Sequence, residues 1–173
     1  MKVLSWSNGH GAEVRVAWRV AGVHSRIVAT DEIRAKDLTG CLITLLYGDE
    51  QILVVLLDRA GSINRLGDGT PSQSDKTLYI GLVREPLFDE LIEVVPDTIF
   101  RFAGRMEARE RRGVECVLTE AFFHKDGRVI PFEVLYGSES QGPPSELVAI
   151  VKRAIQLTDP WWYDQPRVRA PTQ

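Results

Sequence analysis

Cysteine is nearly absent from this chain: Cys41 and Cys116 are the only two in 173 residues. Each lies in an apolar, strand-like run, so both are expected to be buried, reduced thiols packing as small hydrophobes. A disulfide between them would need neighbouring strands and an oxidising compartment. Histidine is equally scarce, with His10, His24 and His124 spread along the sequence. No CxxC or HxxxH spacing occurs, so neither a metal nor another cofactor is expected. Long hydrophobic runs are missing too. The longest, residues 42–47 and 52–57, are too short to cross a bilayer. The N-terminal Met1-Lys2-Val3-Leu4-Ser5-Trp6 lacks the apolar core of a signal peptide. The expectation is a cytoplasmic protein with no membrane partner. There is no excess of positive charge: the net charge is −3, which gives no global attraction to nucleic acid or anionic lipid. The motifs GxGxxG, GxxxxGK[ST], GxSxG and HExxH are all absent.

What the chain does contain is a composition close to the globular average, 44% hydrophobic and 26% charged. Its length suits a single core that needs no covalent staples. Val14, Val16, Trp18 and Val20 alternate with polar or small residues, the period of a strand with one wet face. Residues 27–29 could continue that sheet, and residues 31–38 read as a short helix ended by Gly40. Two β-rich runs, residues 41–47 and 51–57, flank Gly48-Asp49-Glu50 and predict a hairpin. Both runs are apolar on both faces, which suggests a central position covered on each side. Residues 59–76 read as a polar, glycine-rich surface loop and a possible subdivision point.

Residues 77–84 then read as a strand, and Pro86 opens a short helix to about Val94. Residues 98–106 read as a strand with Phe100 and Phe102 on one face. A second hairpin joins residues 114–123 to 129–136 through His124-Lys125-Asp126-Gly127, where Asp-Gly suits a tight turn. Pro131 cannot donate to a ladder and places the second strand at an edge or bulge. Residues 145–157 form the clearest helix, with Leu147, Ile150, Val151, Ala154, Ile155 and Leu157 in one apolar stripe. The fold expected is therefore α+β: a mainly antiparallel sheet of about seven to nine strands, two short helices and a C-terminal helix docked on the sheet. It would be one domain over residues 1–158, followed by an aromatic, proline-containing tail over residues 159–173.

Three functions compete. The first is a non-catalytic protein-binding domain, an adaptor or accessory module, since no catalytic constellation stands out and an enzyme is the less favoured reading. Its contact would be the segment Asp159-Pro160-Trp161-Trp162-Tyr163, binding another protein or a second copy. Pro160 should stop the helix, leaving an extended segment in which adjacent rings face opposite sides. One tryptophan would then pack on the helix and the other would stay partly on the surface. The second function is a small hydrolase or metal-dependent enzyme using Asp58 and a histidine. Asp58 ends an apolar strand beside a glycine loop, a place where a catalytic carboxylate can sit but where a turn residue sits more often. The third is an RNA- or DNA-binding domain using the arginine-rich 101–112 region. Arg101, Arg105, Arg109, Arg111 and Arg112 lie near Phe100, Phe102, Phe122 and Phe123, and a basic strip with aromatics can hold single strands. Glu107, Glu110 and Glu115 interleave with these arginines, so a solvated, ion-paired hairpin is favoured and nucleic acid is not the expected partner.

Overall fold

The computed structural model describes residues 33–166 and, before them, the backbone of two strands at 3–7 and 13–17. It forms two compact units, Met1–Asp31 and Glu32–Gln173. In the first, β1 (Val3–Ser7) and β2 (Glu13–Ala17) pair antiparallel. β2 overlaps the alternating run read around Val14 and Val16. The reading of residues 27–29, and the histidines His10 and His24, lie outside the described residues.

The second unit is built on a seven-stranded sheet. Its strands are β3 (Leu38–Tyr47), β4 (Glu50–Asp58), β5 (Ser62–Leu66), β6 (Tyr79–Leu82), β7 (Gly104–Glu107), β8 (Glu115–His124) and β9 (Val129–Gly137). They lie in the order β6-β5-β4-β3-β8-β9-β7, and every pair is antiparallel except β7 with β9. The hairpin β3–β4 is central, as its apolar composition implies. Strand alternation turns Cys41, Ile43, Val55 and Leu57 inward, where all are buried. Leu42, Thr44, Leu46, Val54 and Leu56 on the opposite face are only half-buried, so the second face is not fully covered.

The core face carries two helices, α1 (Leu87–Ile92) and α2 (Ser145–Tyr163). Phe88 and Leu91 of α1 join Leu147, Ile150 and Ala154 of α2 in one apolar cluster with the sheet. Phe132 anchors this layer, edge-on to Phe122 at 5.8 Å and tilted to Phe100 at 6.5 Å between ring centres. Such aromatic contacts add to the area they bury.

Several local readings are corrected. Residues 31–38 do not form an α-helix where they are described: a single 3-10 turn, Ala35–Asp37, leads straight into β3. Gly40 is no helix cap. It lies within β3, where an added Cβ would come within 3.1 Å of the Leu57 carbonyl oxygen and 3.0 Å of the Asp58 Cβ. The stretch 59–76 is not all loop, because β5 occupies Ser62–Leu66. Its pattern is inverted, with Arg65 beside Ile63 on the buried face, and this hides the strand from a hydrophobicity count. Residues 98–106 are not one strand. A 3-10 helix, Asp97–Phe102, buries the consecutive residues Ile99 and Phe100, which an alternating strand cannot do on one face. β7 follows it and adds to β9 in parallel. β9 is thus second from the edge. Pro131 pairs with Ala121 of β8, and β7 begins its register only at Phe132, so the missing N–H faces no ladder. Finally, α2 continues through Pro160 to Tyr163.

Candidate interaction edge

The C-terminal aromatic segment and strand β6 meet at one end of the sheet. β5 places Ile63 and Arg65 inward by alternation, and Arg65 is fully buried. Its guanidinium donates to the carbonyl of Gly67 at 2.7 Å, to the Thr158 hydroxyl and to Asp159 at 3.2 Å. It also lies 5.2 Å from the ring centre of Trp162, a cation–π approach. Burial pushes this guanidinium below its ordinary pKa, and the Asp159 charge pulls it back up. Arg65 therefore ties the last turns of α2 to the sheet by several charge-assisted contacts.

That tie sets the aromatic rings. Trp162 is 1% exposed and belongs to the interior, whereas Tyr163, 4.9 Å away between ring centres, is 59% exposed. Trp161 is half-buried against the core. Its indole lies over Gly81 of β6, where a Cβ would come within 2.6 Å of Trp161 Cζ2. The glycine lets a flat ring rest on the strand backbone. The two tryptophans differ in burial, Trp162 interior and Trp161 half-buried, and both lie on α2 rather than in an extended segment.

β6 is an outer strand of the sheet, paired only to β5 among the described residues. Two large apolar side chains on its solvent-facing side are exposed, Ile80 at 51% and Leu82 at 77%. The backbone polarity of the edge follows from one bond. Val83 donates to the Gly61 carbonyl at 2.9 Å, so the Val83–Gly61 pair is a hydrogen-bonded pair of the β5–β6 ladder. Antiparallel ladders alternate. Tyr79 and Gly81 therefore turn their amide groups toward β5, and Ile80 and Leu82 turn theirs outward. Unpaired strand edges are usually protected by charge or bulges. Here the outermost positions are Ile80 and Leu82.

The arginine-rich region lies at the other edge. Arg105 pairs with Glu107 at 2.7 Å and Glu133 at 3.4 Å, Arg111 with Glu115 at 3.0 Å, Arg112 with Glu110 at 2.8 Å, and Arg101 with Glu146 at 2.8 Å. Arg109 and Arg112 line a cleft of about 580 Å³ together with Glu107, Glu110 and Glu139. Its walls carry both signs of charge. Phe100 and Phe122 are core residues, and Phe102 lies under Arg101 at 4.6 Å. The aromatic and basic groups that single-strand binding would need are therefore largely engaged elsewhere.

Asp58 accepts the Ser62 amide at 2.9 Å and closes the turn between β4 and β5. A cleft of about 330 Å³ beside it also touches Arg59, Arg84, Glu85 and Asp89. His124 is buried, with Nδ1 2.7 Å from Asp126, and lies at the end of β8, across β3 from Asp58. Backbone and side-chain donors of Arg128 and the His124 ring hold the Asp126 carboxyl down at about 2. Among the described residues no three His, Cys, Asp or Glu side chains gather as a metal site would require. Cys41 and Cys116 are buried free thiols, and burial raises both.

Besides His124, two buried ionisable groups escaped the sequence reading, Arg65 and Glu120. Strand parity could have found Glu120; Arg65 sits in a strand that the polar pattern of 59–76 hides. Cys116, Leu118, Glu120 and Phe122 occupy alternate positions of β8, so an acid falls in the inward row. Glu120 is fully buried, and neither carboxyl oxygen has a hydrogen-bond partner among the described residues. Set beside known proteins, the chain matches no family model, and no curated protein matches its sequence.

Proposed function

We propose that this chain is a non-catalytic protein-binding module whose contact surface is the β6 edge and the adjoining end of α2. The observation that carries this reading is the pair Ile80 and Leu82, 51% and 77% exposed on a strand that is outermost among the described residues and whose outward amide groups are theirs. Exposed apolar side chains on an open edge suit the addition of another strand, in which main-chain bonds provide affinity and side chains provide choice. Trp161 lies against that edge at Gly81, and the exposed ring of Tyr163 stands near it on α2; together they supply the aromatic area that dominates interface energies. The Arg105–Arg112 region, with its paired charges, forms a solvated rim elsewhere on the domain.

Affinity capture with the full chain, compared with an Ile80→Lys, Leu82→Lys double variant, tests the reading. Both positions are exposed, so the variant should keep its circular dichroism spectrum and melting temperature. Proteins retained by the wild type should be lost from the variant. Identical retention by the two chains would sink the proposal.

A further inference from the structure

Resting on that reading of the β6 edge, we infer that its partner is a second copy of this chain, joined β6 to β6 about a two-fold axis through Gly81. An isologous pair needs a patch that complements itself. A two-fold axis normal to the sheet makes the two β6 strands antiparallel and keeps the core faces on the same side. With Gly81 on the axis, Ile80 of one copy lies opposite Leu82 of the other, and this happens twice.

Ile80 and Leu82 are the residues of β6 whose amide groups point outward, as the Val83–Gly61 bond requires. Each Ile80–Leu82 pair then exchanges two main-chain bonds, so no strand donor or acceptor at the seam is wasted. Their side chains share the solvent-facing side of β6 and meet as apolar cross-strand pairs. Gly81 itself has no side chain to interpose on the axis. The two Trp161 rings, each resting on its own Gly81, lie on the core face on either side of the seam.

The neighbouring registers that preserve the faces are poorer. With Ile80 on the axis, Leu82 would oppose Leu78, which lies before the strand, so that pair would fall outside the ladder. With Leu82 on the axis, Ile80 would oppose Arg84 and lose its apolar partner. Only the Gly81 register pairs Ile80 and Leu82 with positions inside the four-residue strand Tyr79–Leu82. The outcome is one continuous sheet of fourteen strands, twice the seven of each copy.

Sedimentation velocity on the full chain over a wide concentration range gives the first arm of the test. The expected result is a reversible dimer that Ile80→Lys with Leu82→Lys converts to monomer without changing the circular dichroism spectrum. The second arm reads the register. Ile80→Cys and Leu82→Cys chains, mixed under oxidising conditions, should form the mixed disulfide dimer, since opposed residues sit at bridging distance. Neither chain alone should cross-link efficiently; the native Cys41 and Cys116 are buried. A chain that stays monomeric at every concentration, a dimer indifferent to the lysines, or an Ile80→Cys chain that cross-links chiefly to itself would overturn the inference. A monomer that still captures other proteins in an Ile80- and Leu82-dependent manner would remove the second copy and leave the binding-module reading standing. Loss of all edge dependence would remove both.

Discussion

Glu120 is the position at which a single substitution should stabilise this protein most. Its side chain points into the core between Ile43 of β3 and Phe132 of β9, with Leu118 and Phe122 beside it on its own strand. Neither oxygen finds a partner among the described residues, and burial raises the carboxyl well above the ordinary glutamate value. The folded state therefore holds this group protonated over a pH range in which the unfolded chain, with a pKa of about 4.3, ionises it. In that window the native state binds one proton more than the unfolded state. Stability is thus full below the unfolded pKa and falls by about 1.4 kcal/mol per pH unit until the folded pKa is passed. A second effect does not depend on pH: an unpartnered polar group in the interior costs about 1–3 kcal/mol.

Glu120→Met, nearly equal in volume, removes both penalties, whereas Glu120→Gln removes only the titration. Urea unfolding of the three proteins at several pH values from about 4 to 8 separates the two effects. Relative to wild type, Met should gain about 1–3 kcal/mol at the acid end and progressively more as pH rises. Gln should show the rising gain without the offset. A wild-type-to-Met difference that stays constant with pH would refute the claim that Glu120 is protonated in the fold. A loss of stability in Met at all pH values would show that the carboxyl has a partner worth more than its burial costs.

Other substitutions test the architecture around the proposed edge. Arg65→Ala leaves the Gly67 carbonyl and Thr158 hydroxyl without their donor inside the protein, and should cost about 3–5 kcal/mol in urea unfolding. Trp162→Ala should cost about 3–5 kcal/mol because it empties a buried site. Tyr163→Ala next to it should stay within about 0.5 kcal/mol, its ring being mostly exposed. Gly81→Ala places a methyl where the Trp161 indole sits, so it should shift tryptophan fluorescence and cost about 1–3 kcal/mol. Changing Arg109, Arg111 and Arg112 to Ala should leave fluorescence anisotropy with short RNA and DNA at the wild-type, non-binding level. Salt-sensitive micromolar binding that the changes abolish would revive the nucleic-acid reading.

Sequence alone fixed the elements whose signal is local. β-rich runs and two turn signals located the β3–β4 and β8–β9 hairpins, with Gly48 and Gly127 both at positive φ as such turns demand. The 3.6-residue stripe located α2, and the crowding of tryptophan and tyrosine at residues 161–163 marked that segment as a candidate contact surface. What tertiary structure alone decided is pairing between distant segments. Ser62–Leu66 becomes a strand because Arg65 can be buried there, and it can be buried only because Thr158 and Asp159, more than ninety residues later, meet it. Phe100 and Phe102 suggested a strand by spacing, yet Ile99 and Phe100 are both drawn into the core, Phe100 against Phe132, so a 3-10 turn wins. Pro160 does not end α2, because the core contacts of Trp162 and the Arg65 tie continue to hold the helix one turn past it. Strand order obeys the same logic. Local pattern states which residues face inward, but which strand is left at the edge, with Ile80 and Leu82 uncovered, depends on how the whole sheet is assembled.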